Sequence, residues 1–478
     1  MISVHDASRV DELALLAGFR QAVYDCLLRR ADALFELGDA QLCADGSVDS
    51  LVGLSLTAEH RRGHGALYDA VNAGRVDVER LRREVVGLPL PRDGQGRIVL
   101  AVDVSNWLRP DAATVPGRSF CHVHGRGKGG AQMIPGWPYS FVAALEPGRT
   151  SWTHVLDVQR ITPTDDVTEV TARQIRQVVD RIRAAGQWVE GDPPVLVMLD
   201  AGYDPVRLAW LLWEVPVLVT ARVRADRVFH LPAPERTPGQ VGRTVRHGPV
   251  IDLDCPDSHP PTDVSTVTAT SRYGTAFADA WDYTHQQLQR RGGRATHHGA
   301  LPIVQGTLIR LRVDRLPGDR DPKPVWLWYS TTDLDAAMID RIWQSYLRRF
   351  DIEHMFRFWK QTLGWTRPRL HDPEAADRWT WLTLITYTQL RLARTQTTDL
   401  RRPWERPTPP GRLTPARVRR GFRHLRAKLP IPASAPKPTR PGPGRPPGSR
   451  NRQVATHPPV GKTQHLNQTT ASKPQQKV

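Results

Sequence analysis

Three acidic residues could do chemistry, and two of them stand where a carboxylate is expensive to bury. Asp103 lies inside the apolar run Arg97–Val104 (RIVLAVDV), and Asp200 ends a second one, Val195–Asp200 (VLVMLD). A charged group inside or at the end of a buried strand costs free energy unless it is paired or metal-bound. The plain alternative for each is a capping or turn aspartate. The third acid, Glu353, sits in Arg341–Leu363 (RIWQSYLRRFDIEHMFRFWKQTL), which has the pattern of one helix. At 100° per residue, Tyr346, Arg349, Glu353 and Lys360 fall within an arc of about 60°. One face thus carries an acid flanked by two bases and a phenol. A solvated charged stripe with i,i+4 pairs such as Arg349–Glu353 would look the same. Two rival acids fit less well: Asp204 falls at a helix start, as an N-cap does, and Asp351 points about 200° away from Glu353.

The elements that must position these residues follow from hydrophobic periodicity. Residues 1–92 read as a helical domain, with helical spacing over Val10–Gly38 and Val76–Val86. Next come a strand at Arg97–Val104, a Gly-rich loop at His124–Gly136, and strands at Tyr139–Leu145 and Thr153–Ile161. Asp166–Ala185 is predicted as a helix, Val195–Asp200 as a buried strand, Pro205–Trp213 as a helix and Val217–Val223 as a strand. Strands paired consecutively and then alternating with helices describe an α/β fold of ribonuclease-H-like order, a mixed sheet with helices on both faces. Its two parts span 97–223 and 334–396. Between them, 224–333 reads as a β-rich insertion of short runs (Pro249–Leu253, Ile303–Val313, Pro324–Tyr329) separated by Pro, Gly and Asp.

Charge is distributed unevenly. The 478 residues carry 66 Lys+Arg and 49 Asp+Glu, a net charge of +17. Residues 401–478 hold 18 basic residues and one acid, Glu405, so this basic, Pro-rich tail carries the whole excess and the first 400 residues are neutral. Nucleic acid is the partner such a balance suggests. Within the tail, Thr414–Leu429 is a basic amphipathic piece, and the composition after Pro430 predicts disorder. Residues 440–452 (RPGPGRPPGSRNR) resemble an AT-hook, placing Arg440, Arg445, Arg450 and Arg452 against a narrow minor groove. The four cysteines form no C-x-x-C pair, GRGKGG at Gly125–Gly130 lacks the Ser/Thr of a phosphate loop, and no apolar run reaches the ~18 residues of a membrane span. A soluble chain in the cytoplasm, not associated with membrane, is expected.

The spacing Tyr346-x2-Arg349-x3-Glu353-x6-Lys360 matches the Y-(2)-R-(3)-E-(6)-K signature, and Asp200-Ala201-Gly202-Tyr203 matches D-x-G-(F/Y). With Asp103 in AVDVSNW on the first strand and an insertion before Glu353, the chain resembles the DDE transposases of bacterial insertion sequences.

The resemblance implies Asp103, Asp200 and Glu353 as catalytic metal ligands for two Mg²⁺ ions, with Mn²⁺ as a substitute. Hard oxygen donors suit such ions. It further implies that Tyr346, Arg349 and Lys360 contact DNA, that the partners are terminal inverted repeats and target DNA, and that a homodimer works on paired ends by cut-and-paste. The helical region would read the repeats, and Trp326, Trp328 or Phe350 could hold a flipped base. The alternatives are an inactive or domesticated DNA-binding derivative and a nuclease of the same fold without strand transfer.

Overall fold

The computed structural model describes residues 4–124, 131–148, 150–239, 241–290, 292–294, 297–316, 321–409 and 411–437. The chain opens with helices α1 (Val4–Asp25), α2 (Ala31–Cys43), α3 (His64–Ala73) and α4 (Val78–Gly87). The single helix expected over Val10–Gly38 is therefore two. Arg30 takes a left-handed φ of 59°, and Leu27–Arg29 pairs with Arg75–Val76 as a two-stranded ribbon. A backbone turn of that hand cannot continue an α-helix.

The sheet is built from β1 (Val99–Leu108), β2 (Ser119–His124), β3 (Ala131–Leu145), β4 (Thr153–Arg160), β5 (Val195–Leu199) and β6 (Val217–Val223). β3 pairs antiparallel with β1 and with β4, whereas β5 runs parallel to β1 and to β6. The spatial order β4-β3-β1-β5-β6 is that of a ribonuclease-H-like mixed sheet. Every residue of β5 is buried, as a central parallel strand covered on both faces requires. The expected loop at His124–Gly136 is shorter than its glycines suggested, because β3 already begins at Ala131. Residues 125–130 lie outside the described residues. Gly136 allows the crossing of β1 and β3, since a Cβ there would sit 2.5 Å from the Trp107 carbonyl oxygen.

The segment after β6 is β-rich, but its main strands form no sheet of their own. β7 (Val264–Thr270), β8 (Gly274–Thr284), β9 (Gly306–Val313) and β10 (Val325–Tyr329) continue the same sheet outward from β6, with Trp326 opposite Val223. The result is one ten-stranded sheet. Helix α5 (Val167–Ala184) lays Ile175, Val178, Val179 and Ile182 into the core, and the Asp166 carboxylate caps its first turn.

The remaining helices are α6 (Pro205–Leu211), α7 (Ala336–Arg348), α8 (Phe350–Gln361), α9 (Pro373–Leu392) and α10 (Pro415–Arg426). The one helix expected over Arg341–Leu363 is divided at Arg349. There the amides of Arg349 and Ile352 bond carbonyls three residues back, a tightening of 3₁₀ type. α9 is buried along most of its length and joins the sheet to the N-terminal helices. Arg20 of α1 donates to Asp39 of α2 at 2.7 Å and to Gln389 of α9 at 2.6 Å, all three out of solvent. One hydrophobic cluster runs from Leu16 through the sheet to Ala433.

That cluster also changes the reading of the tail. Residues 401–437 are folded onto the body, where α10 buries Val418, Phe422 and Leu425. Arg419 donates to the carbonyls of Gln41 and Gly46, Arg423 pairs with Glu59, and Arg426 pairs with Asp39. The backbone carbonyl of Ser434 accepts from Arg61 and Arg62. Composition predicted disorder after Pro430 because the partners of Ala433 and Ser434, which are Arg61, Arg62 and Asp32, lie 372 to 402 residues away in the sequence. Residues 438–478, with Arg440, Arg445, Arg450 and Arg452, lie outside the described residues.

Candidate active site

The parallel pairing of β1 with β5 sets Val99, Leu100 and Ala101 beside Leu196, Val197 and Met198. Carried on by two residues, the same register brings Asp103 level with Asp200, which follows the last residue of β5. Asp200 thus stands at the carboxyl end of β5, where open α/β sheets place their ligand crevices, and Asp103 stands beside it midway along β1, just past the last parallel pair.

Helix α8 supplies the third acid across the sheet. Arg349, at the junction of α7 and α8, joins the group: its Nη1 lies 2.9 Å from Asp103 Oδ2 and 3.9 Å from Glu353 Oε1. Its Nη2 lies 3.6 Å from Asp200 Oδ2. The Arg349 side chain is 10% exposed and that of Asp103 is 16%, while Asp200 and Glu353 are each 41% exposed. The site is therefore an arginine enclosed by three carboxylates, two of which open to solvent. Asp103 Oδ1 also accepts from the Val104 amide at 2.8 Å.

The electrostatics follow from this crowding. Burial, with Glu353 and Asp200 nearby, pushes the Asp103 carboxyl up to about 7, against the opposing pull of Arg349 and the Val104 amide. Burial works against the charge of Arg349, but the surrounding carboxylates outweigh it and raise its pKa. Tyr346 is pushed up to about 12, chiefly by burial, so its phenol stays a donor. Burial lowers Lys360, with Glu353 and Asp103 resisting, and its ammonium lies 5.7 Å from the centre of the Trp365 ring.

The motif that carries Asp200 also carries Tyr203, to which the sequence assigns no role. Its hydroxyl is buried without a hydrogen-bond partner among the described residues, and burial first, then the charges of Asp103 and Asp200, raise it well above the usual range. An orphaned hydroxyl beside two carboxylates is a donor waiting for an acceptor. The rival acids are committed elsewhere. Asp204 caps α6 through the Arg207 amide and pairs with Arg294, and Asp351 pairs with Arg348 at 3.2 Å. Of the three aromatic residues considered, Trp326 and Trp328 are buried in a second cluster with Phe229, Ile251 and Trp281. Phe350 is 54% exposed next to Arg349.

The donor set suits hard divalent cations, since it offers carboxylate oxygens and no histidine or thiolate. Among the described residues, however, no three His, Cys, Asp or Glu side chains stand together at ligating spacing. Arg349 takes the middle of the space that such a set would share.

A family model for the DDE superfamily endonucleases matches residues 22–287. The chain belongs to that family. No curated protein matches it. The match takes in β1 and β5 with Asp103 and Asp200 and stops before α8, so Glu353 lies beyond the matched span. As a DDE superfamily endonuclease the chain has DNA for a substrate, and enzymes of this family generally use divalent metals. No helix among the described residues is long and apolar enough to cross a membrane.

Proposed function

We propose that this protein is a DNA transposase that cleaves transposon ends and joins them to target DNA by cut-and-paste. The observation that carries the reading is the convergence of Asp103, Asp200 and Glu353, from two strands and a helix, on one arginine. The three carboxylates would hold two Mg²⁺ ions, with Mn²⁺ as a substitute. When bound, such a pair supplies Lewis-acid stabilisation of the attacking and leaving oxygens of a phosphodiester. The chain's own residues orient the DNA around that centre. Tyr346 keeps its proton and donates to a phosphate oxygen, and Lys360 brings a positive charge to the same edge. Phe350 offers the exposed ring on which an unstacked base can rest. The same site can serve water in the first step and a DNA 3′-hydroxyl in the second, so one triad suffices for cleavage and strand transfer. A homodimer on paired ends and reading of the terminal repeats by the N-terminal helices complete the proposal.

The test is direct. The purified full chain is incubated with Mg²⁺, supercoiled target DNA and a fragment ending in its own element's repeats. Insertion products are expected. Cuts without insertion would leave a nuclease, and a mobility shift without cuts would leave a DNA-binding derivative. Glu353→Gln should lower cleavage by on the order of 10³ or more. Unchanged excision in that variant would remove the enzymatic reading.

A further inference from the structure

The carboxylates of the site already face a cation, and it belongs to the chain. Arg349 is within ion-pair reach of Asp103, Asp200 and Glu353 at once, with its side chain largely withdrawn from water. The oxygens it meets are those that would bind divalent ions, and the three acids are spread around a planar guanidinium at wider than ligating spacing. A guanidinium and a dication cannot share this space. They repel each other, and both draw on Asp103 Oδ2.

We propose that Arg349 is an exchangeable internal counter-ion: it must leave the carboxylates before they take up divalent cations, and a DNA phosphate receives it when it leaves. Metal loading and DNA binding are thereby coupled. The inference rests on the reading of the three acids as metal holders.

Three features support the exchange. The planar fork of arginine matches carboxylate and phosphate equally well, so one side chain can serve both partners in turn. Arg349 lies where α7 gives way to α8, and two of its three carboxylate partners, Asp200 and Glu353, are exposed, so the site opens to solvent on their side. Departure of the guanidinium without replacement would leave the largely enclosed Asp103 carboxylate facing Asp200 and Glu353 with no counter-charge, which makes a cation the natural successor. Coupling of this kind is reciprocal, so DNA should tighten metal binding by the factor by which metal tightens DNA binding.

The experiment measures Ca²⁺ binding calorimetrically and Mn²⁺ binding by the resonance of the free ion, on the full chain, with and without a duplex oligonucleotide. In the wild type, DNA should tighten ion binding by about tenfold or more. Arg349→Ala should bind the ions about tenfold more tightly than wild type without DNA and lose most of the DNA effect. Equal ion affinity in Arg349→Ala and wild type, or an undiminished DNA effect in the variant, would overturn the proposal.

Thermal unfolding provides a second readout. Arg349→Ala should melt below the wild type in chelator and gain more from Mn²⁺ than the wild type does, and an equal gain would count against the exchange. Arg349→Lys keeps a charge without the fork and covers the case in which the alanine variant fails to fold. It should fall between the two in ion affinity, and a value equal to wild type would also count against the exchange. Asp200→Asn separates the two levels of the reading. If ion binding survives it unchanged, the carboxylates are not the metal holders, and the proposal falls with the reading beneath it.

Discussion

Asp103 is held where burial and like charges work against its ionised form. Its carboxyl is raised from 3.8 to about 7 by burial and by two neighbouring acids. A carboxyl raised in this way adds most to stability below its unfolded value, and that contribution is lost as pH climbs from about 4 through about 7. In chelator, therefore, the protein should lose stability across that window. Asp103→Asn should flatten the loss and gain of the order of 1 kcal/mol at pH 8 while abolishing cleavage, as thermal unfolding at several pH values and a cleavage assay would show. An unaltered pH profile in the variant would mean that Arg349 compensates the charge fully. The awkward position of this acid was legible in one line of sequence, because RIVLAVDV sets a carboxylate within an apolar run. Its partnership with Arg349 was not: periodicity places residues on faces and says nothing about which face meets which strand.

The helix carrying Glu353 shows how elements are aimed. Its pattern was read as one helix from Arg341 to Leu363, yet the division at Arg349 lets Tyr346 remain on α7 while Glu353 and Lys360 ride on α8. The far end is set by Gly364, whose φ of +69° reverses the chain and brings its Cα against Val48 near the N-terminal helices. A Cβ there would lie 2.3 Å from the Val48 carbonyl oxygen. Gly364→Ala should therefore cost about 1–3 kcal/mol in urea unfolding and loosen the end of α8. A loss below 0.5 kcal/mol, roughly the effect of an ordinary surface substitution, would show that the turn relaxes. The insertion teaches the complementary lesson. Its short strands were visible as runs between Pro, Gly and Asp, but their union with β6 into one sheet depends on pairing between segments about 100 residues apart. Such non-local pairing leaves no local trace.

At the scale of the whole molecule, part of the basic excess is tied into the fold. Eleven of the 18 basic residues after residue 400 precede residue 438, and two of them, Arg423 and Arg426, are paired with Glu59 and Asp39 of the N-terminal region. The seven that follow, Arg440, Arg445, Arg450, Arg452, Lys462, Lys473 and Lys477, have no acid among them. Deleting residues 438–478 should weaken non-specific DNA binding and flatten its salt dependence, by at most about 0.9 per lost phosphate contact, with no change in melting temperature. Deleting from residue 414 onward should destabilise the whole fold, because Val418, Phe422 and Leu425 leave the common core. Melting curves and salt titrations of the two truncations would separate these roles, and a stable second truncation would refute the structural one.

Residue types and spacing were enough to pick out the three acids that meet at Arg349, the order of strands and helices in the first part of the sheet, and the basic excess at the C-terminal end. These are local properties: a buried strand needs an apolar run, a helix needs its period, and a count needs no fold. Only the tertiary structure decided that Arg349 stands among the carboxylates, that the Tyr203 hydroxyl is left without a partner, that Trp326 and Trp328 are core while Phe350 is exposed, and that part of the basic segment belongs to the body. Each of those depends on which surfaces meet. That choice is made by packing and ion pairing between residues hundreds of positions apart, where the energy is shared and no single segment carries its signature.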